Sequence, residues 1–101
     1  MVEVPFYLKD YEPHDPDFIQ LTCMVREMAQ SAGALDEKTK RFILLALAST
    51  SGNRRGVATH ARLAKELGAT DSELVEVIRL VFIHAGIPGL QTAIAAFTDQ
   101  E

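Results

Sequence analysis

Residues 36–52 read DEKTKRFILLALASTSG, and the two ends of this stretch punctuate it as a single helix. Asp36 is a residue type whose side-chain oxygen accepts from an orphan amide, Glu37 adds negative charge to the first turn, and Gly52 suits the residue after a helix end. Between them Phe42–Ala48, FILLALA, is apolar all the way round. A helix of that kind needs cover on nearly every side, so this segment sets an all-helical core around itself.

Working outward, Asp15 followed by Pro16 marks an earlier helix start, because proline at the first position loses no hydrogen bond. Phe18, Leu21, Val25, Met28 and Ala32 then recur at helical spacing, which predicts one buried stripe and a helix ending at Gly33. Downstream, a helix is expected from about Asn53 to Gly68, with Val57, His60, Leu63, Ala64 and Leu67 on one face. Thr70 and Glu73 have the spacing of a reciprocal capping box and open a strongly apolar helix. Gly86-Ile87-Pro88 breaks and restarts that helix, and Leu90, Ala93, Ile94 and Phe97 form the last stripe. No stretch alternates with period two for long enough to predict a strand. The expected fold is all-α with about five helices, residues 1–16 forming an extended arm and residues 17–101 a single helical domain.

The chain has 101 residues, 48% of them apolar and 24% charged, with a formal net charge of −4. This suits one soluble domain and gives no electrostatic case for nucleic acid. MVEVPFYLKD at the start has no basic region followed by a long apolar stretch, and the longest strongly apolar run, Phe42–Ala48, falls far short of a membrane span. A cytoplasmic location and no membrane partner are expected. Cys23 is the only cysteine, so neither an intrachain disulfide nor a thiolate zinc cage can form. The apolar surface of these helices exceeds what one small bundle hides, which predicts a homo-oligomer.

The residues with chemical potential cluster around the third predicted helix. Arg54 and Arg55 stand at its N-terminus, where free amides also favour anions, and a guanidinium binds a carboxylate through paired hydrogen bonds. Gly56 lets a ligand approach the backbone. One turn further in, His60 is placed as a general acid or base, although a core histidine bonded to a carbonyl would occupy the same position. His84 suits the carbonyl end of the fourth helix, with catalysis as its other reading. Glu76 and Arg79, three residues apart, read as a surface or intersubunit ion pair. The three histidines are dispersed over separate elements, so no metal site and no cofactor are expected.

Taken together, the RFxxLALA helix, the histidine followed eight residues later by Gly68-Ala69-Thr70, and HAGIPGLQTAI at 84–94 resemble the carboxymuconolactone decarboxylase family, which includes the alkylhydroperoxidase D-like proteins. The resemblance runs from about Leu35 to Phe97. It implies an all-helical domain that assembles into dimers, trimers or hexamers with sites near subunit contacts. Redox members of the family carry a Cys-x-x-Cys pair and a glutamate, and the resemblance puts those positions at Asn53, Gly56 and Arg41. Only His60 is kept, so thiol peroxidase chemistry by that route is not expected.

The expectation is therefore a cofactor-free lyase, or a related enzyme, acting on a small anionic carboxylated molecule. His60 would be its acid/base, with Arg54, Arg55, Arg41 and Gly56 around the substrate and His84 near it. Arg41 has two readings: a third anion contact, or an outward pair with Glu37. Two other classes stay open. One is a non-catalytic oligomer that binds a ligand or serves assembly, and the other a peroxide-reducing protein working through Cys23 in an intermolecular disulfide.

Overall fold

A computed structural model describes residues 3–98 of the chain. Four longer helices and a short fifth account for most of them: α1 Pro16–Gln30, α2 Glu37–Thr50, α3 Arg54–Glu66, α4 Asp71–Ala93 and α5 Ala95–Thr98. No strand occurs among the described residues, so the all-α expectation holds. The contacts divide the chain after Ser31 into two compact units.

In the first unit, the segment expected to be an extended arm instead makes single 3₁₀ turns at Phe6–Leu8 and Glu12–His14 before α1 begins. Pro16 opens α1 as expected, but Asp15 makes no side-chain cap. Its carboxylate accepts from the Tyr11 hydroxyl at 3.3 Å instead. The helix also ends earlier than Gly33, at Gln30, where the Ser31 hydroxyl donates to the Glu27 carbonyl. The larger correction concerns the buried face. Ile19 and Cys23, not Phe18, Leu21, Val25 and Met28, are the buried residues, and they cluster with Val4 and the partly buried Leu8. Because the N-terminal turns bring Val4 onto that side of the helix, the stripe chosen from periodicity alone is the exposed one.

The second unit is built from α2 to α5 around Leu45, Val57 and Leu74, each fully buried, with Ala61, Ile78 and Ala93 beside them. α3 contributes Val57, Ala58, Ala61 and Ala64 as its buried face. Small side chains there let neighbouring backbones approach closely, as ridges of one helix settle into grooves of the next. The starts of α2, α3 and α4 each carry a side-chain cap. Asp36 accepts from the Thr39 amide at 2.8 Å, Asn53 from the Gly56 amide at 2.9 Å, and Thr70 and Glu73 satisfy each other's amides at 3.1 and 3.0 Å. α4 is continuous in outline but kinks at Gly86, which adopts φ 64° and ψ −154°, a conformation natural only to glycine. The predicted break and restart is this kink.

α2 is less completely covered than its composition suggests, since Ile43 and Leu47 remain exposed. Phe42–Ala48 is the longest unbroken apolar run but not the helix that best meets the length of a membrane span. Asp71–Thr98 is long and apolar enough to cross a membrane by length and composition, although Leu74, Ile78 and Ala93 within it belong to the core of the second unit.

Two caps make the stability of this unit sensitive to acid. The Thr70 amide, with help from Lys38 at 3.2 Å, holds the Glu73 carboxyl below its ordinary value of 4.5, and the Thr39 amide holds Asp36 below 3.8. A carboxyl whose pKa is lower folded than unfolded stabilises fully above the unfolded value, and that contribution is lost as pH falls through the folded one. Denaturant titrations should show stability falling below about pH 4.5, and Glu73→Gln should make that fall shallower. Thr70→Ala should cost about 1 kcal/mol at neutral pH.

Candidate functional site

The packing of α2 and α3 brings two of the predicted residues into contact. Arg41 lies one turn into α2, and His60 lies on the shoulder of α3 between the buried positions Val57 and Ala61 and its solvent side; both are half-buried. The Arg41 guanidinium reaches the His60 Nδ1 atom at 3.2 Å. A guanidinium has only donors to offer, so Nδ1 must accept. An imidazole that carries its proton on Nε2 can accept there, so this contact favours that tautomer. Arg41 thus faces His60 across the packing of α2 and α3.

The remaining candidates are placed elsewhere. Arg54 donates to the Gln91 carbonyl at 3.0 Å and lies 3.5 Å from the Thr98 hydroxyl, tying the start of α3 to the end of the chain's last helices. Arg55 is exposed beside it. The Gly56 backbone amide is already taken by the Asn53 cap, and a Cβ at Gly56 would lie 2.6 Å from the Asn53 side-chain nitrogen Nδ2. That glycine is explained by the cap without any ligand. His84 is exposed on α4 two residues before the kink and joins no contact with Arg41 or His60. Among the described residues no group of three or more His, Cys, Asp or Glu is arranged around a metal position.

The geometry can be set beside known proteins. The model of the carboxymuconolactone decarboxylase family matches residues 16–99. The chain belongs to that family. Similar proteins include two uncharacterized proteins of Methanocaldococcus jannaschii. MJ1511 is 32% identical over 84 residues, covering 83% of this chain and 78% of that protein, and MJ0742 is 25% identical over 79 residues, covering 77% and 76%. Among solved structures, the apo form of lpg0406, a carboxymuconolactone decarboxylase family protein from Legionella pneumophila, superposes with a TM-score of 0.81. It is 29% identical, over 89% of this chain and 80% of that one. A carboxymuconolactone decarboxylase-like structure from Burkholderia xenovorans LB400, 23% identical, shares the fold with the same TM-score over 94% of this chain and 77% of its own.

Asn53 and Gly56, where the resemblance puts the paired cysteines of redox members, form a helix cap in this chain. Cys23 is buried in the first unit. Sequence reading did not find the Arg41 to His60 contact. The signal was the resemblance, which puts Arg41 at the position of a glutamate facing the histidine helix, but that does not fix where a long side chain folds.

The tautomer can be tested directly. Nitrogen-15 NMR of the imidazoles at neutral pH should show His60 protonated at Nε2 and unprotonated at Nδ1. Arg41→Gln should redistribute the two tautomers, while His84, in solvent, should be unchanged.

Proposed function

We propose that this family member is a cofactor-free lyase, or a closely related enzyme, acting in the cytoplasm on a small carboxylated substrate. The contact between Arg41 and His60 carries the reading. Loss of carbon dioxide breaks a carbon–carbon bond and leaves its electron pair on the substrate, where a conjugated carbonyl spreads it onto oxygen as an enolate. A preorganised donor aimed at that oxygen, in a partly dry site, contributes more than it would in water. The His60 Nε2–H is such a donor, and the carbon takes its proton from solvent.

Arg41 has a double role in this reading. It holds the imidazole as an Nε2 donor, and it supplies a permanent positive charge beside the reacting group, which a lysine could not orient with the same planar fork. The role assigned to His60 thereby narrows from acid/base to hydrogen-bond donor, because taking a proton at Nδ1 would displace Arg41. Arg54 is assigned to fastening the start of α3. Arg55, exposed, adds positive charge that favours the approach of an anion. Thiol chemistry has little support, since the lone thiol is buried and a single free cysteine suits a reducing compartment.

Assays of carbon dioxide release from a panel of small carboxylated lactones test the proposal. Substituting His60→Ala should lower kcat by about 10²–10³ with the fold intact. Arg41→Gln should lower kcat and raise KM together, and Arg41→Lys should recover little of the loss. Full activity in folded His60→Ala would contradict the assignment. Cys23→Ser should leave peroxide consumption unchanged, and its abolition would favour the peroxidase class.

A further inference from the structure

One part of the α4 surface is shaped as well as apolar. An open groove of about 540 Å³ is walled by Val75, Ile78, Phe82, Leu90 and Phe97, with Arg79 as its one charged residue. That volume falls within the roughly 300–1,000 Å³ of small-molecule pockets. In a straight helix Val75 and Leu90 would stand about 22 Å apart along the axis. They wall one groove because the chain turns at Gly86, with φ 64°, which brings Leu90 and Phe97 toward the first part of the helix. Arg79 is exposed, and among the described residues it has no ion-pair partner; the expected pair with Glu76 is not formed.

We propose that this groove binds a free aliphatic monocarboxylate, its chain along the apolar walls and its carboxylate on the Arg79 guanidinium. Charge complementarity carries the choice of occupant. The chain as a whole is acidic, with a net charge of −4, yet the single charge in this lining is a cation with no carboxylate of its own. A guanidinium holds a carboxylate through two parallel hydrogen bonds. A neutral hydrocarbon would leave that group unused, and a dianion would carry a second charge that no other lining residue can meet. Each methylene laid against Ile78, Phe82, Leu90 or Phe97 leaves water, and that transfer supplies the rest of the affinity. The lining comes from α4 and α5 and includes neither Arg41 nor His60, so this site is separate from the one assigned above and is tested independently of it.

Methyl NMR titrations of the full chain at neutral pH, with octanoate and with octanol as its uncharged match, test the site. Octanoate should shift the methyl resonances of Ile78 and Leu90 and bind about fivefold more tightly than octanol, the scale of an exposed ion pair. Added salt should shrink that difference. Hexanoate should bind about tenfold more weakly than octanoate, because two methylenes leave apolar contact. Arg79→Gln should abolish the preference for octanoate and leave octanol binding unchanged. Ile83→Asp, at a lining position that is 82% exposed and therefore safe for folding, should weaken both ligands and octanoate more. No binding, equal affinity of the two ligands for the wild type, or a preference that survives Arg79→Gln would each overturn the proposal. So would a groove filled by a second copy of the chain or by bilayer lipid and closed to free octanoate.

Discussion

Close packing of α2 against α3 is the constraint on which the rest of the second unit depends. α3 presents Val57, Ala58, Ala61 and Ala64 as its buried face, and Leu45 and Leu74 complete the seal with no exposure. Burying a large aliphatic side chain contributes roughly 1.5–3 kcal/mol, so Leu45 and Leu74 are strong anchors. Because the alanines are small, the helix backbones come close enough for a side chain on the rim of α2 to reach the rim of α3. The arginine and histidine on those rims meet for that reason. An enlarged residue at Ala58 or Ala61 would overpack the seam and separate them.

That meeting changes what the imidazole can do. A histidine on an apolar face, viewed alone, can be an acid, a base, a ligand or a filler. Accepting from a guanidinium at Nδ1 removes the base at that nitrogen and leaves a donor at Nε2. A neutral imidazole acting as a hydrogen-bond donor to a developing enolate is a known solution in other enzymes, where the environment keeps the ring uncharged. Here the permanent cation beside it comes from the position where the family resemblance puts a glutamate. A carboxylate there could take a proton, whereas a guanidinium is a permanent cation that cannot act as a base.

Much of the fold was legible because capping chemistry is local. Asp36, Asn53, the Thr70–Glu73 box and Gly86 each announce a helix boundary through atoms within a few residues, and the structure has them where the sequence suggests. What a sequence stripe cannot state is which face finds a partner. α1 offers Phe18, Leu21, Val25 and Met28 at helical spacing, yet the N-terminal turns cover Ile19 and Cys23. The site followed the same division. His60 was identifiable by its place in a family pattern, but Gly56 proved to be part of a cap and Arg54 a tie to Gln91. Long side chains choose among several reachable partners, and that choice is made in three dimensions.

The central claim is that Arg41 and His60 together form a site for a carboxylated molecule. A crystal structure of the native protein soaked with small di- and tricarboxylates tests it most directly. The account predicts an anion whose oxygen lies within hydrogen-bond distance of His60 Nε2 and beside the Arg41 guanidinium, with Nδ1 still accepting from Arg41. A structure in which His60 Nε2 is committed to a protein carbonyl, with carboxylates bound only at surface cations such as Arg55, would contradict it.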